Sequence, residues 1–365
     1  FQVKLIKILM GFKCGIVGLP NVGKSTLFNA LTASKNAEAA NFPFCTIDPN
    51  IGIVDVVDDR LDNLSKLSNS KKKIYTNITF VDIAGLVKGA SKGEGLGNKF
   101  LSHIREVDAI VHLVRCFESD KITHVNSEIN PLNDLETIKT EIILSDIDII
   151  QKKLEKSKKK TLSEKEIDKL KKKLEKLNLG KDESPENENE NKFLSTLGLL
   201  SIKPKIIVCN IDEKNLKSGN KFTESVKNKY PNEKVVIICA DIEDQIMGLD
   251  KSERETFMKE IGLDKTGLNQ LIKTGYDLLE LDTFFTSGPE ESRAWTVKKN
   301  TLAPKAASVI HTDFEKKFIR AETVTCEDFI KYGSAEKCKE NGKLRIEGKD
   351  YVVKDGDVLY FRVNP

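Results

Sequence analysis

The segment Gly-Leu-Pro-Asn-Val-Gly-Lys-Ser-Thr at 18–26 constrains the fold of this chain more than any other. It has the phosphate-binding pattern G-x-x-x-x-G-K-S, follows an apolar run, and opens a stretch with helical spacing. Its glycines let backbone N–H groups turn toward phosphate oxygens, and the positive end of the following helix dipole adds to the attraction. The segment therefore predicts a strand, a P-loop and a helix. A glycine-rich turn without a ligand is the alternative, but both flanks favour the P-loop.

The side chains of this loop have distinct predicted roles. Lys24 would reach the β- and γ-phosphates of a nucleotide, and the Ser25 hydroxyl would hold a Mg²⁺ ion. The residues of this loop that are predicted to bind the nucleotide are Asn21, Val22, Gly23, Lys24, Ser25 and Thr26.

Two downstream segments supply partners for the P-loop. Asp82 ends an apolar run and begins the pattern Asp-Ile-Ala-Gly, in which the carboxylate would hold Mg²⁺ through water and the Gly85 N–H would meet the γ-phosphate. The Thr46 hydroxyl would complete the magnesium shell. The glycine-rich stretch 85–97 is typical of a loop that reorders with the γ-phosphate, and a plain flexible loop is the alternative.

Base recognition is predicted after a later strand. A GTPase would carry Asn-Lys-x-Asp there, whereas this chain has Asn210, then Ile211 in place of the lysine, and Glu213 in place of the aspartate. The extra methylene of Glu213 moves its carboxylate into the space of a guanine edge, which favours adenine. Cys239 and Ala240 end a further strand, where a small contact to the base is expected.

Short apolar runs alternate with segments of helical period, which predicts an α/β fold with a mainly parallel sheet and helices on both faces. The predicted strands are 14–17, 51–57, 78–82, 109–114, 205–210 and 235–239. His112, inside one of these strands, is predicted to be a packed residue.

The chain divides into four predicted parts. Residues 1–9 form an extension, which is either the remnant of a targeting leader or an extended first strand at the chain end. Residues 10–132 and 204–281 form the nucleotide-binding domain, and 133–203 form a helical coiled-coil insertion. Residues 282–365 form a small α+β module.

Two of these parts carry more detailed predictions. Between residues 151 and 181 the insertion has thirteen lysines against five acidic residues. The simplest interpretation is a helical face exposed to solvent, and the alternative is an arm that faces RNA or the ribosome. The low-complexity segment 181–191 is predicted to be a mobile loop. In the C-terminal module, the pair Asp355-Gly356 predicts a β-hairpin. An apolar stripe at helical spacing predicts a single helix that contains Ala307, Ile310, Phe314 and Phe318.

Composition excludes several classes of protein. The net charge of +3 gives no strong nucleic-acid signal, and no apolar run approaches the 18 residues of a membrane span. The seven cysteines are odd in number and contain no C-x-x-C pair, which favours buried thiols over disulfides or zinc.

The chain resembles the Obg-like ATPase family known as YchF, among the translation-factor-related P-loop proteins. The matching segments are 10–26, 41–46, 80–98, 114–118, 293–296, 311–315 and 348–357. This resemblance implies a P-loop domain, a helical insertion and a C-terminal TGS domain with a ubiquitin-like β-grasp fold. It also implies a preference for ATP, with Mg²⁺, and association with ribosomes.

The resemblance also bears on catalysis. Leu86 stands where a Ras-like enzyme places its water-orienting glutamine. The resemblance implies the same, because the family has a hydrophobic residue at this position. His124 occupies a position where the family keeps a histidine, and we hypothesise that it positions or deprotonates the attacking water. An ordinary loop histidine is the alternative. The predicted catalytic residues are His124, Lys24 and Gly85.

These residues predict a slow ATPase that works as a nucleotide-dependent switch on ribosomes. A GTP-preferring regulatory GTPase is one alternative, and a nucleotide-gated RNA- or ribosome-binding module with incidental hydrolysis is another. RNA contact through the helical arm and the TGS domain, a monomeric state and no membrane partner are also expected. The expected compartment is the cytoplasm, or an organelle if residues 1–9 are a leader remnant.

Overall fold

The computed structural model describes residues 12–36, 51–83, 96–119, 128–157, 162–182 and 185–364. They form two compact units, one within 13–53 and 80–275 and the other comprising Phe12 and residues within 54–79 and 276–364. The second unit thus includes 54–79, which the sequence assigned to the nucleotide-binding domain. The four-part division of the chain stays a prediction.

The strands of the described chain are short and evenly spread. They are β1 (Lys13–Val17), β2 (Ile51–Val56), β3 (Lys72–Ile74), β4 (Thr76–Asp82), β5 (Ala109–Arg115), β6 (Lys205–Asn210), β7 (Lys234–Ile238), β8 (Leu281–Ser287), β9 (Glu291–Lys298), β10 (Phe318–Thr325), β11 (Arg345–Glu347) and β12 (Asp357–Val363).

Helices separate most of these strands. They are α1 (Lys24–Asn36), α2 (Asp59–Leu67), α3 (Leu96–Glu106), α4 (Pro131–Ser157), α5 (Glu164–Asn178), α6 (Glu188–Thr196), α7 (Lys221–Lys229), α8 (Ala240–Gly248), α9 (Lys251–Ile261), α10 (Gly267–Leu278), α11 (Ala303–Ile310), α12 (Phe314–Lys317), α13 (Cys326–Tyr332) and α14 (Ala335–Glu340).

The nucleotide-binding sheet has the strand order β2-β4-β1-β5-β6-β7. The pairs β1–β5, β5–β6 and β6–β7 are parallel, and all six predicted strands are present. The prediction of a mainly parallel α/β sheet is therefore confirmed. Since parallel strands bring their carboxyl ends to one edge, the residues after β1, β4, β5, β6 and β7 meet there.

Strand β5 lies in the middle of this sheet and is buried along its whole length. Its His112 is buried, as predicted, and burial with the nearby charge of Lys205 lowers the pKa of His112 to about 3. The imidazole is therefore neutral at physiological pH, which fits a packing role rather than acid–base chemistry.

The helical insertion packs around its own apolar cluster. Buried Ile143 and Ile150 of α4 meet Leu170 and Leu177 of α5, so the predicted helical seam lies inside this cluster. Lys173 departs from the prediction of a solvated lysine face, because only 4% of it is exposed. Burial lowers the pKa of this lysine, although nearby Asp146 raises it.

The prediction of a mobile loop over 181–191 is wrong for part of that segment. Helix α6 begins at Glu188, because the Asn187 side chain accepts a hydrogen bond from the Glu190 N–H at 2.9 Å. Asp182 is also fixed, since its carboxylate pairs with Lys205 at 2.6 Å and with Lys139 at 3.1 Å. Asparagine and acidic residues here cap a helix instead of solvating a loop.

The second unit contains a sheet with the order β11-β10-β12-β8-β9-β3. Strands β8 and β9 are antiparallel, and β12 joins β8 in parallel, as in a β-grasp fold. Helix α11 contributes Ala303, Ala306 and Ala307 to one apolar cluster of this unit. A second cluster combines Leu61 and Leu64 of α2 with residues of β8, β10, β12, α13 and α14.

Residues 54–79 are integrated into this second unit by polar contacts as well. Strand β3 pairs in parallel with β9. The Ser70 hydroxyl lies 2.8 Å from that of Ser292, and the Ser68 hydroxyl lies 2.8 Å from that of Ser287. The segment is thus a structural part of the β-grasp unit.

Two local predictions for this unit are wrong. Residues 351–353 do not pair with β12, because Asp355 accepts from the Thr283 N–H at 2.9 Å and the turn docks onto β8. The predicted single helix is also interrupted, since α11 ends at Ile310, α12 follows, and Phe318 opens β10. The apolar stripe is real, but it comes from three elements that face one cluster.

The six cysteines of the described chain are free and buried, as predicted, while Cys45 lies outside it. Burial raises the pKa of Cys14 to about 12 and that of Cys326 to about 11, so these thiols are poor nucleophiles. Within the described residues, no helix is both long enough and apolar enough to cross a membrane.

Candidate nucleotide-binding site

The P-loop connects β1 to α1, as the sequence predicts. Gly23 has φ +92°, and a Cβ placed there would lie 2.2 Å from the Asn210 Nδ2 atom. A Cβ on Gly18 would lie 2.7 Å from the Leu113 carbonyl oxygen. Both positions therefore require glycine, one for backbone conformation and close approach and the other for close approach alone.

Lys24 and Asp82 meet at the carboxyl ends of β1 and β4. The Lys24 Nζ atom donates to Asp82 Oδ1 at 2.6 Å and to the Ile83 carbonyl at 2.8 Å. Both side chains are partly buried, with 14% and 21% exposed. The ammonium group is thus held by two oxygens at the edge of the sheet where the P-loop turns.

Asn210, at the end of β6, ties the P-loop to the start of α8. Its Nδ2 donates to the Val22 carbonyl and its Oδ1 accepts from the Ala240 N–H, both at 3.0 Å. The side chain is buried, with 4% exposed. The sequence predicted Asn210 as a nucleotide ligand but gave no sign of this bridge, because its partners lie 188 and 30 residues away.

A cleft of about 830 Å³ lies at this edge of the sheet. It brings together most of the predicted site residues of the described chain, namely Asn21, Gly23, Lys24, Ser25, Thr26, Asn210, Ile211, Glu213 and Cys239. Val22 and Ala240 are buried and touch the site through Asn210. Thr46, Gly85 and His124 lie outside the described residues.

The two residues of the base-recognition segment that differ from a GTPase, Ile211 and Glu213, differ in their burial. Ile211 is buried in an apolar cluster with Val114 and Cys209, although it also lines the cleft. Glu213 opens a short 3-10 turn and is exposed at the cleft. Glu213 is therefore accessible from the cleft, whereas the Ile211 side chain is largely buried in the core.

The sequence missed part of the cleft wall. Residues Phe117, Glu118 and Ser119 after β5, and Asp241, Ile242 and Gln245 on α8, also line it. The first group follows directly after a parallel strand, which is a signal that places residues at a ligand-binding edge.

The donor set at the P-loop fits Mg²⁺. The Ser25 hydroxyl is exposed in the cleft and the Asp82 carboxylate ends β4, and both are the hard oxygen ligands that this ion prefers. No cluster of three or more His, Cys, Asp or Glu residues forms a metal cage in the described part of the chain. Mg²⁺ usually binds through few protein ligands together with substrate phosphates, so this arrangement is suitable.

Three features define a P-loop NTPase domain of the GTPase type. They are the P-loop after the first strand of a parallel sheet, the ion pair between Lys24 and Asp82 beside it, and the hydrogen-bonded bridge from Asn210 at the end of β6. The family model described as "50S ribosome-binding GTPase" matches residues 13–146. The model of the YchF GTPase C-terminal region, described as a protein of unknown function, matches residues 281–364.

Full-length relatives narrow the class further. The Ribosome-binding ATPase YchF of Bacillus subtilis is 49% identical, over 97% of this chain and all of its own length. The protein of the same name from Escherichia coli O157:H7 is 50% identical over the same shares. The solved Schizosaccharomyces pombe YchF GTPase is 36% identical, with a TM-score of 0.86 over 96% of this chain and 97% of its own. This chain belongs to the YchF family.

Proposed function

We propose that this protein binds ATP with Mg²⁺, hydrolyses it slowly to ADP and phosphate, and acts on ribosomes as a nucleotide-dependent switch. The observation that carries this proposal is the cleft that joins Lys24 and the P-loop to Asn210 and Glu213. The names of the curated relatives, Ribosome-binding ATPase YchF, support both the reaction and the partner.

The P-loop residues have separate roles in this reaction. Lys24, already oriented by Asp82 and the Ile83 carbonyl, would bind the β- and γ-phosphate oxygens. Ser25 and Asp82 would hold Mg²⁺, the carboxylate through water. When bound, the ion neutralises charge on the transferred phosphoryl group. The N-terminus of α1 adds its dipole to the same end of the cleft.

The remaining catalytic assignments rest on the sequence. Gly85 would give its N–H to the γ-phosphate, Thr46 would complete the magnesium shell, and His124 would position the attacking water. Leu86 cannot orient water as a glutamine does, which supports a low intrinsic rate. This low rate is why hydrolysis and switching are proposed together.

Base preference is the first test of the proposal. We expect ATP to displace a fluorescent nucleotide from the wild-type protein at lower concentration than GTP. Glu213→Asp shortens the side chain by one methylene and should shift the ratio of GTP to ATP affinity by about tenfold toward GTP, since one hydrogen-bonded contact between a carboxylate and a base is worth roughly 1–2 kcal/mol.

Glu224→Asp is a suitable control, because Glu224 is exposed on α7 and lies outside the cleft. Tighter binding of GTP by the wild type would refute the adenine assignment. It would support the alternative of a regulatory GTPase, and the Schizosaccharomyces pombe relative is itself named a GTPase.

Ribosome binding is the second test. The lysine-rich arm formed by α4 and α5 is proposed to contact ribosomal RNA, and the β-grasp unit is proposed to make a further contact with RNA. The protein is proposed to act as a monomer. We expect co-sedimentation with ribosomes to differ at least about threefold between ATP, ADP and no nucleotide, since a switch requires differential affinity. Equal co-sedimentation in all three conditions would contradict the switch.

A further inference from the structure

Arg115 is a charged residue that is almost fully buried, with 1% exposed at the end of β5. Its Nε donates to the Phe117 carbonyl at 3.1 Å and its Nη2 donates to the Ser119 carbonyl at 3.3 Å. The guanidinium carbon also lies 4.7 Å from the centre of the Phe117 ring. The chain after β5 is therefore wrapped around this guanidinium.

The same short segment is held from two other elements. The Asn220 Nδ2, at the start of α7, donates to the Cys116 carbonyl at 2.7 Å. The Cys116 N–H donates to the Asn210 carbonyl at 2.8 Å. Hydrogen bonds from β5, β6 and α7 thus fix residues 116–119.

The residues that Arg115 holds are cleft residues. Phe117 and Ser119 line the proposed nucleotide cleft together with Ile211 and Glu213. Burying an arginine costs desolvation energy, and burial lowers the pKa of Arg115. An apolar side chain of similar length would fill the space at the end of β5 without this desolvation penalty, so packing alone does not explain an arginine here.

We propose that Arg115 is a positioning residue for nucleotide binding, which sets the shape of the 117–119 wall of the cleft through two backbone carbonyls. This inference rests on the proposed function of the cleft. Arg115 acts through the backbone and needs no contact with the nucleotide itself. The planar fork of the guanidinium is essential, because a lysine presents one compact charge and cannot span both carbonyls in the same way.

The chain offers a matched control. Arg254 on α9 also donates to two carbonyls, from Nε to Leu249 at 2.8 Å and from Nη2 to Met247 at 3.0 Å. Neither Leu249 nor Met247 lines the cleft. Arg254→Met therefore removes the same type of contact from the same unit without touching the proposed nucleotide wall.

The test compares nucleotide binding and turnover in the full-length wild type, Arg115→Lys, Arg115→Met and Arg254→Met. We expect both Arg115 variants to raise the Kd for ATP and the KM by about tenfold or more, while kcat changes by less than about threefold. Arg254→Met should lower Tm but leave Kd and KM within about twofold of wild type. Kd and KM within twofold of wild type in a folded Arg115 variant would overturn the positioning role.

A second variant covers the case in which neither Arg115 variant folds. Asn220→Ser keeps a helix-capping hydroxyl at the start of α7 but is too short to reach the Cys116 carbonyl. It loosens the same segment from the other side, so we expect the KM for ATP to rise at least about threefold. An unchanged KM would then overturn the inference. If the wild type fails to bind ATP, the proposed function fails instead.

Discussion

Lys24→Met is expected to lower kcat/KM for ATP hydrolysis by at least about 100-fold, the effect of removing one charge contact to a transition state. Methionine keeps most of the length and volume of lysine but loses the ammonium group. That group is fixed 2.6 Å from Asp82 Oδ1 and 2.8 Å from the Ile83 carbonyl, at the mouth of the P-loop. Phosphate release under steady-state conditions measures the effect.

Lys152→Met is the matched control for Lys24. Lys152 forms an exposed ion pair with Asp148 on α4 and is 65% exposed, so its loss should leave turnover by the isolated protein, measured without ribosomes, unchanged. Thermal unfolding of both variants should stay within a few degrees of wild type. A folded Lys24→Met protein with turnover within threefold of wild type would mean that the P-loop lysine does not stabilise the reacting phosphate.

Asn210→Ala is expected to lower the free energy of unfolding of the nucleotide-binding unit by about 3 kcal/mol. The change leaves the Val22 carbonyl and the Ala240 N–H buried without their side-chain partner, and each such loss costs about 1–3 kcal/mol. Nucleotide affinity should fall as well, because the P-loop and α8 lose the side chain that joins them.

Asn29→Ala provides the comparison for Asn210, because Asn29 is exposed on α1 and its replacement should cost less than about 0.5 kcal/mol. Unfolding in urea should be followed by circular dichroism, since the single tryptophan, Trp295, lies in the β-grasp unit and does not report on this one. A loss below 1 kcal/mol for Asn210→Ala would show that the bridge contributes little to stability.

The sequence predicted those features that depend on neighbouring residues. The P-loop follows from a local pattern, and the six strands of the first sheet follow from short apolar runs. The start of α6 at Glu188 was missed, because a composition rich in asparagine and acid outweighed the capping signal of Asn187. The hairpin at Asp355 was also predicted wrongly, since the turn is held by Thr283 of β8 and not by the flanking strands.

Features that depend on segments distant in the sequence could not be predicted from local sequence patterns. The bridge from Asn210 joins three segments, and no local pattern indicates which backbone groups its amide meets. The contacts of Arg115 are local in sequence, but the burial that makes them necessary comes from the surrounding sheet. Strand β3 gives no sign that it pairs with β9, more than 200 residues away.

The position of residues 54–79 has a consequence for the synthesis of the chain. Leu61 and Leu64 leave the ribosome early, but the other buried residues of their cluster in the β-grasp unit belong to 276–364 and are made last. This core therefore cannot close until most of the polypeptide has been translated. In the interval these leucines and the strand β3 lack their native partners, and exposed apolar surface and unpaired strand edges of this kind are prone to aggregation until they are covered.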